Sequence, residues 1–139
     1  YGRRNGKVGR NMKQPDQLLH DEMFRISSEM GFDTYTYLPP EDVAYPFVVM
    51  GETKVLPQAT KSHLIGRLSS TVHIWGRVDD RKLLSDMAGQ LMSSFFAIKN
   101  IDGMQFSAEV NQSSIDSNRD NSTDEVLYHF IVYTYFKFV

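Results

Sequence analysis

The last fifteen residues constrain the fold more than any other stretch. From Glu125 to Val139 two apolar sets alternate along the chain. Val126, Tyr128, Phe130, Val132, Phe136 and Phe138 fall on one side of an extended strand. Leu127, Ile131, Tyr133, Tyr135 and Val139 fall on the other. Neither face is solvated without cost. Such a strand must be central and covered on both sides, or must meet another subunit.

The material to cover it lies upstream. Residues 13–31 predict a helix, with Leu19, Met23, Ile26 and Met30 at helical spacing and Leu18 and Phe24 broadening the stripe. Pro15 and Asp16 suit its first turn and Gly31 its end. Asp33–Tyr45 is rich in turn formers, and Pro39-Pro40 excludes a helix there. Its tyrosines, Tyr35, Tyr37 and Tyr45, are expected to pack as a lid over a sheet. Tyr45–Met50 predicts a short strand, with Pro46 tolerable only at a strand start or edge. A polar loop is expected over Gly51–Ser62, longer than a hairpin turn needs.

Residues 64–77 alternate Leu64, Leu68, Val72 and Ile74 with Arg67, Ser69, Thr71, His73 and Trp75, the period of a half-buried strand. A second helix follows, capped by Asp79 or Asp80. Leu84, Met87, Ala88, Leu91 and Phe95 line one face, widened by Leu83, Met92 and Phe96. Asn100–Gly103 closes it. Strands at Met104–Asn111 and Glu125–Val139 flank a second polar loop, Gln112–Asp124. The order α-β-β-α-β-β predicts an α+β fold, an antiparallel or mixed sheet of about four main strands packed against two helices.

At 139 residues and 41% hydrophobic, one globular domain is expected over residues 13–139. Residues 1–12 stand apart. Arg3, Arg4, Lys7 and Arg10 are four of the fifteen basic residues, leaving eleven against seventeen acids in the remainder. A glycine-rich basic arm on an acidic body suits contact with nucleic acid or an acidic partner, or is a disordered leader or expression remnant. There is no cysteine, hence no disulfide and no thiolate zinc site. No apolar run reaches the roughly 18 residues of a membrane span, and no signal-peptide core is evident. A cytoplasmic protein, or part of a larger particle, is expected.

Chemistry is hard to find. None of His20, His63, His73 and His129 forms a metalloprotease pair at i, i+4. His73 and His129 are mid-strand and could lie side by side, but no acid stands at matching spacing. The acid pairs Asp21-Glu22, Glu41-Asp42, Asp79-Asp80 and Asp124-Glu125 are explained by capping or solvation rather than by a converging hydrolase cleft. No Walker loop, GxGxxG or GxSxG is present, and Ser93-Ser94 and Ser113-Ser114 lack a base. The expectation is no enzyme, and no catalytic, cofactor-binding or metal-binding residues.

What remains distinctive is YPFVVMGE (Tyr45–Glu52), then STVHIWGRVDDRKLLSDMAGQLMSSF (Ser70–Phe95), then two strands of which the last is aromatic. This combination resembles the tail-terminator, or tail-to-head joining, proteins of long-tailed bacteriophages. They share a Tyr-Pro-hydrophobic strand ending in Gly-Glu and a strand ending in Trp before an amphipathic helix. The resemblance covers roughly residues 13–139 and rests on packing motifs. It implies a virion protein at the tail–neck junction, a homo-oligomeric ring of usually six copies. That ring caps the tail tube, stops its elongation and docks a neck protein, while DNA passes its lumen unbound. Ring or partner contacts are expected at Glu52, Lys54, Lys61, Arg67, Trp75, Asp116, Arg119, Asp120, Tyr133 and Tyr135. Glu52, Asp116, Asp120 and Asp124 are the acids expected to face the lumen. The alternatives are a nucleic-acid- or ligand-binding α+β module using the basic arm, and a small hydrolase or cyclase with a pocket between helix and sheet.

Overall fold

The computed structural model describes residues 13–40, 42–58 and 65–139. Two helices, α1 (Pro15–Glu29) and α2 (Arg81–Phe96), cover one face of a seven-stranded mixed sheet. Its strands are β1 (Thr34–Tyr35), β2 (Phe47–Gln58), β3 (Ile65–Arg77), β4 (Asn100–Ile101), β5 (Met104–Ala108), β6 (Ser114–Asp120) and β7 (Leu127–Phe138). The order across the sheet is β1-β2-β3-β7-β5-β4, with β6 also paired to β7. Among the described strands only the β1–β2 pair is parallel. The α+β class is as expected; the strand count is higher.

β7 is central. β3 pairs along its whole length, and β6 and β5 share its other edge, β6 opposite Leu127–Tyr133 and β5 opposite Phe136–Phe138. Its Phe130, Val132, Phe136 and Phe138 point at the helices and are buried with Leu68, Val72 and Ile74 of β3. From the helices come Leu19 and Met23 of α1, and Leu84, Met87, Ala88, Leu91 and Phe95 of α2. The α2 contribution is the face expected from its period, except that Leu83 is 47% exposed.

The helix ends follow from local chemistry. Pro15 opens α1, where a missing N–H costs nothing, and Asp16 sits in its first turn. Gly31, at φ +90°, ends it in a Schellman motif: Gly31 N–H donates to Ser28 O and Phe32 N–H to Ser27 O. Asp80 stands at the N-cap of α2, but no side chain caps that helix. A 3₁₀ turn at Val78–Asp80 tightens the entrance instead.

Three expected loops are built differently. The stretch Gly51–Gln58, expected as loop, continues β2 past a register shift between Met50 and Thr53. Beyond the bulge Val55 packs on the core while Lys54 and Leu56 face outward, so the segment looks polar although it is paired throughout with β3. Pro57 is compatible because β1 covers β2 only at Val48–Val49, leaving the distal half of β2 a sheet edge. Likewise Ser114–Asp120, inside the expected loop Gln112–Asp124, is the strand β6. The expected strand Met104–Asn111 ends at Ala108 and passes into a 3₁₀ turn at Val110–Gln112. Asn100–Gly103 does more than close α2, which stops at Phe96. It forms the β4–β5 hairpin with positive φ at Asp102 (50°) and Gly103 (90°), the signature of a type I′ turn. The basic arm 1–12 and Lys61 lie outside the described residues.

One buried polar pair ties helix to sheet. Ser27 of α1 is fully buried, and its hydroxyl donates to Thr34 Oγ1 (2.6 Å), which donates to Phe32 O (2.9 Å).

Candidate assembly surface

The sheet face opposite the helices carries the expected interface residues. Strand alternation puts Phe47, Val49, Lys54 and Leu56 of β2 there, with Arg67, Ser69, Thr71, His73 and Trp75 of β3. Cross-strand register adds Leu127, His129, Ile131, Tyr133, Tyr135 and Lys137 of β7 and Asp116 and Asp120 of β6. Among the described residues no helix covers this face.

At one end a loop lid is present, as expected for two of its three tyrosines. Tyr45 stacks on Phe47 (5.3 Å between centroids) and Tyr35 meets it edge-on (5.9 Å). Tyr37, 81% exposed, is no part of it. Beneath the lid lies a hollow of about 260 Å³, with Pro39, Pro40 and Tyr45 on one wall and Phe47, Trp75 and Leu127 on the other.

Beside the lid is a stacked, hydrogen-bonded cluster. Trp75 lies flat on His129, 3.8 Å between centroids and 7° from parallel. His129 Nε2 meets His73 Nδ1 at 2.7 Å. The other nitrogen of His73 lies 3.7 Å from Glu52 Oε1. The two histidines thus lie side by side, and the acid that linear spacing did not offer arrives from the β2 bulge. Gly51 makes the approach possible, since a Cβ there would stand 2.7 Å from His73 Nε2. Burial, then the neighbouring His73, lowers the pKa of His129 to about 4, only partly opposed by Asp120. His129 is therefore neutral at pH 7. Among the described residues no group of three His, Cys, Asp or Glu is placed to hold a metal ion.

The other end of the face is basic. Lys54 and Tyr135 flank Ser69, and Arg67 sits between Leu56 and Lys137. Lys54, Arg67 and Tyr135 border a hollow of about 320 Å³ with Leu56 and Glu109. An adjoining hollow of about 430 Å³ runs over Leu56, Ile65, Arg67, Lys137 and Val139. Arg67 Nε donates to Glu109 at 3.1 Å.

The structure therefore divides the expected residues into three groups. Glu52 and Trp75 flank the histidine pair. Lys54, Arg67 and Tyr135 gather at the basic end, with Tyr133 between the two on β7. Asp116 and Asp120 lie on the exposed strand β6, where the Ser122 hydroxyl and amide hold the Asp120 carboxyl below its usual range. Arg119 turns to the opposite side of β6. There the Arg81 and Arg119 guanidiniums beside Tyr128 lower the phenol's pKa. Trp75 shares a face with Arg67 and His73, as its alternation predicts, so it packs away from the helices rather than under them. Lys137 and Leu56 were not expected at this surface; their register opposite Arg67 puts them there.

No family model matches the chain, and no curated protein matches it by sequence. Among solved structures, a chain from the virion of a native gene transfer agent particle superposes with a TM-score of 0.57 at 13% identity. The match covers 85% of this chain and 90% of that one. At that identity what the two share is the fold.

Proposed function

We propose that this chain is a non-enzymatic structural protein of a virion or virion-like particle, and that it serves there as a tail terminator. In that role copies form a ring, of six by the family resemblance, that caps the tail tube, halts its growth and presents a surface to the neck. DNA passes the lumen without specific binding. The observation that carries the reading is the fold shared, over nearly the whole of both chains, with a chain of a gene transfer agent virion. The uncovered sheet face supports it: Trp75, Tyr133, Tyr135 and Leu56 are partly or well exposed on a face that no described helix shields.

The test is addition of the purified chain to polymerising tail-tube protein, with tube length read by electron microscopy. Shortened tubes carrying density at one end are expected. Tubes of unchanged length with bare ends reject the role. Salt-sensitive DNA binding that disappears on deleting residues 1–11 would favour the nucleic-acid-binding alternative.

A further inference from the structure

Two surfaces of this molecule carry opposite charge and are only partly neutralised within the chain, Arg67 by Glu109 and Glu125 by Arg77. One is the basic end of the open sheet face, where Lys54, Arg67 and Lys137 surround apolar side chains left exposed, Leu56 at 53% and Val139 at 61%. The second is β6 and the turn after it. All of β6 except Asp120 is exposed, although its backbone is paired to β7 on one side. From Asp116 to Glu125 this segment holds four acids, Asp116, Asp120, Asp124 and Glu125, against the single cation Arg119. Glu125 is engaged by Arg77 of the same chain. Asp116 and Asp124 form no ion pair among the described residues.

β6 is a short, charged strand with one free backbone edge, and its charges discourage simple strand addition there. Edge strands are commonly blunted by lysine, proline or a bulge. β6 has none of these, whereas the free half of β2 has both a bulge and Pro57. Pro57 removes a donor from that second edge, so β2 is poorly suited to accept an added strand. Side-chain complementarity is the better match: acids on β6 against lysine and arginine around Leu56.

We propose that the acidic edge of β6, Asp116 to Asp124, docks on the Lys54–Arg67–Lys137 surface of a second copy of this chain. The contact is heterologous. The two patches are separate parts of one molecule, so each copy offers one and accepts on the other; repetition closes a ring or runs on as a filament, whereas reciprocal docking of two copies would stop at a dimer. This rests on the ring-forming role above and assigns its subunit contact.

Charge reversal tests it. One variant carries Lys54→Glu, Arg67→Glu and Lys137→Glu; the other carries Asp116→Lys and Asp120→Lys. Sedimentation velocity at low salt is expected to show oligomers of the unmodified chain that dissociate as salt rises from about 50 to about 500 mM. Each variant alone should self-associate at least about tenfold more weakly. An equimolar mixture should recover assembly, because each variant then meets the opposite charge on its neighbour. Recovery also shows that both variants are folded. The proposal is overturned if the unmodified chain stays monomeric throughout, if either variant assembles like the unmodified chain, or if the mixture fails to recover. A mixture that fails, or a chain that stays monomeric, while tubes are still capped, discards this contact and leaves the tail-terminator role standing. Unimpeded tube growth with intact charge-dependent assembly discards the role and keeps the contact.

Discussion

His73 and His129 meet nitrogen to nitrogen at 2.7 Å on neighbouring strands, though 56 residues separate them. Trp75 lies against the second ring, and Glu52 stands within 3.7 Å of the first. A hydrogen bond between two imidazoles needs at least one of them neutral, and burial makes His129 that one.

The native state therefore resists protonation where the unfolded chain accepts it. With the His129 pKa lowered from the usual 6.5 to about 4, the unfolded chain binds more protons between those values. Stability is full above pH 6.5 and falls as pH drops through that window. The ring is half-exposed, so solvent screening reduces the effect to about 1 kcal/mol between about pH 7 and about pH 5. Urea midpoints at the two pH values measure it. The slope should flatten in His129→Gln, and emission of the single tryptophan should lose its pH dependence in the same window.

Gly76 faces Leu84, and a Cβ there would stand 2.5 Å from a methyl of that fully buried leucine. Gly76→Ala is expected to cost about 1–3 kcal/mol through overpacking at the β3–α2 junction. Gly89→Ala on α2, where a Cβ meets nothing within 4 Å, should be neutral or stabilising. Thermal melts of the two variants decide it.

The two faces of β7 differ in what they do for the isolated fold. Phe136 is fully buried beneath the helices, and Phe136→Ala should cost about 3–5 kcal/mol. Tyr135, the next residue back and 38% exposed, should cost under about 1 kcal/mol on change to Ala. Chemical denaturation at low protein concentration separates the two.

Ser27→Ala removes the donor to Thr34 Oγ1 in a buried site. Thr34 keeps its bond to Phe32 O, so the expected loss is about 1 kcal/mol. Hydrogen exchange at the Val48 amide, which donates to Asp33 O beside β1, should quicken with it.

Much of the scaffold was readable from periodicity. The faces of α2, the alternation of β3 and the central place of β7 all follow from where apolar residues recur, because burial is rewarded per residue and leaves a period in the chain. Gly31 was readable for a related reason, since φ +90° selects glycine locally. β6 and the distal half of β2 were not readable. Both are exposed edge segments held by backbone pairing, which asks little of side chains. A polar strand at an edge and a polar loop have the same composition. Gly51 and Pro57 look like breakers until the bulge and the free edge accommodate them.

By itself, then, the sequence pointed to an α+β core, to which faces would be buried, and to a last strand that must be central or meet another subunit. Those are properties of local pattern. Only the tertiary structure decided that Glu52, His73 and His129 converge, and that Lys54, Arg67 and Lys137 share one end of an uncovered face while Asp116 and Asp120 share an edge. Each of those groupings depends on cross-strand register, which is set by the bulge and by the pairing of distant segments. No spacing along the chain encodes it.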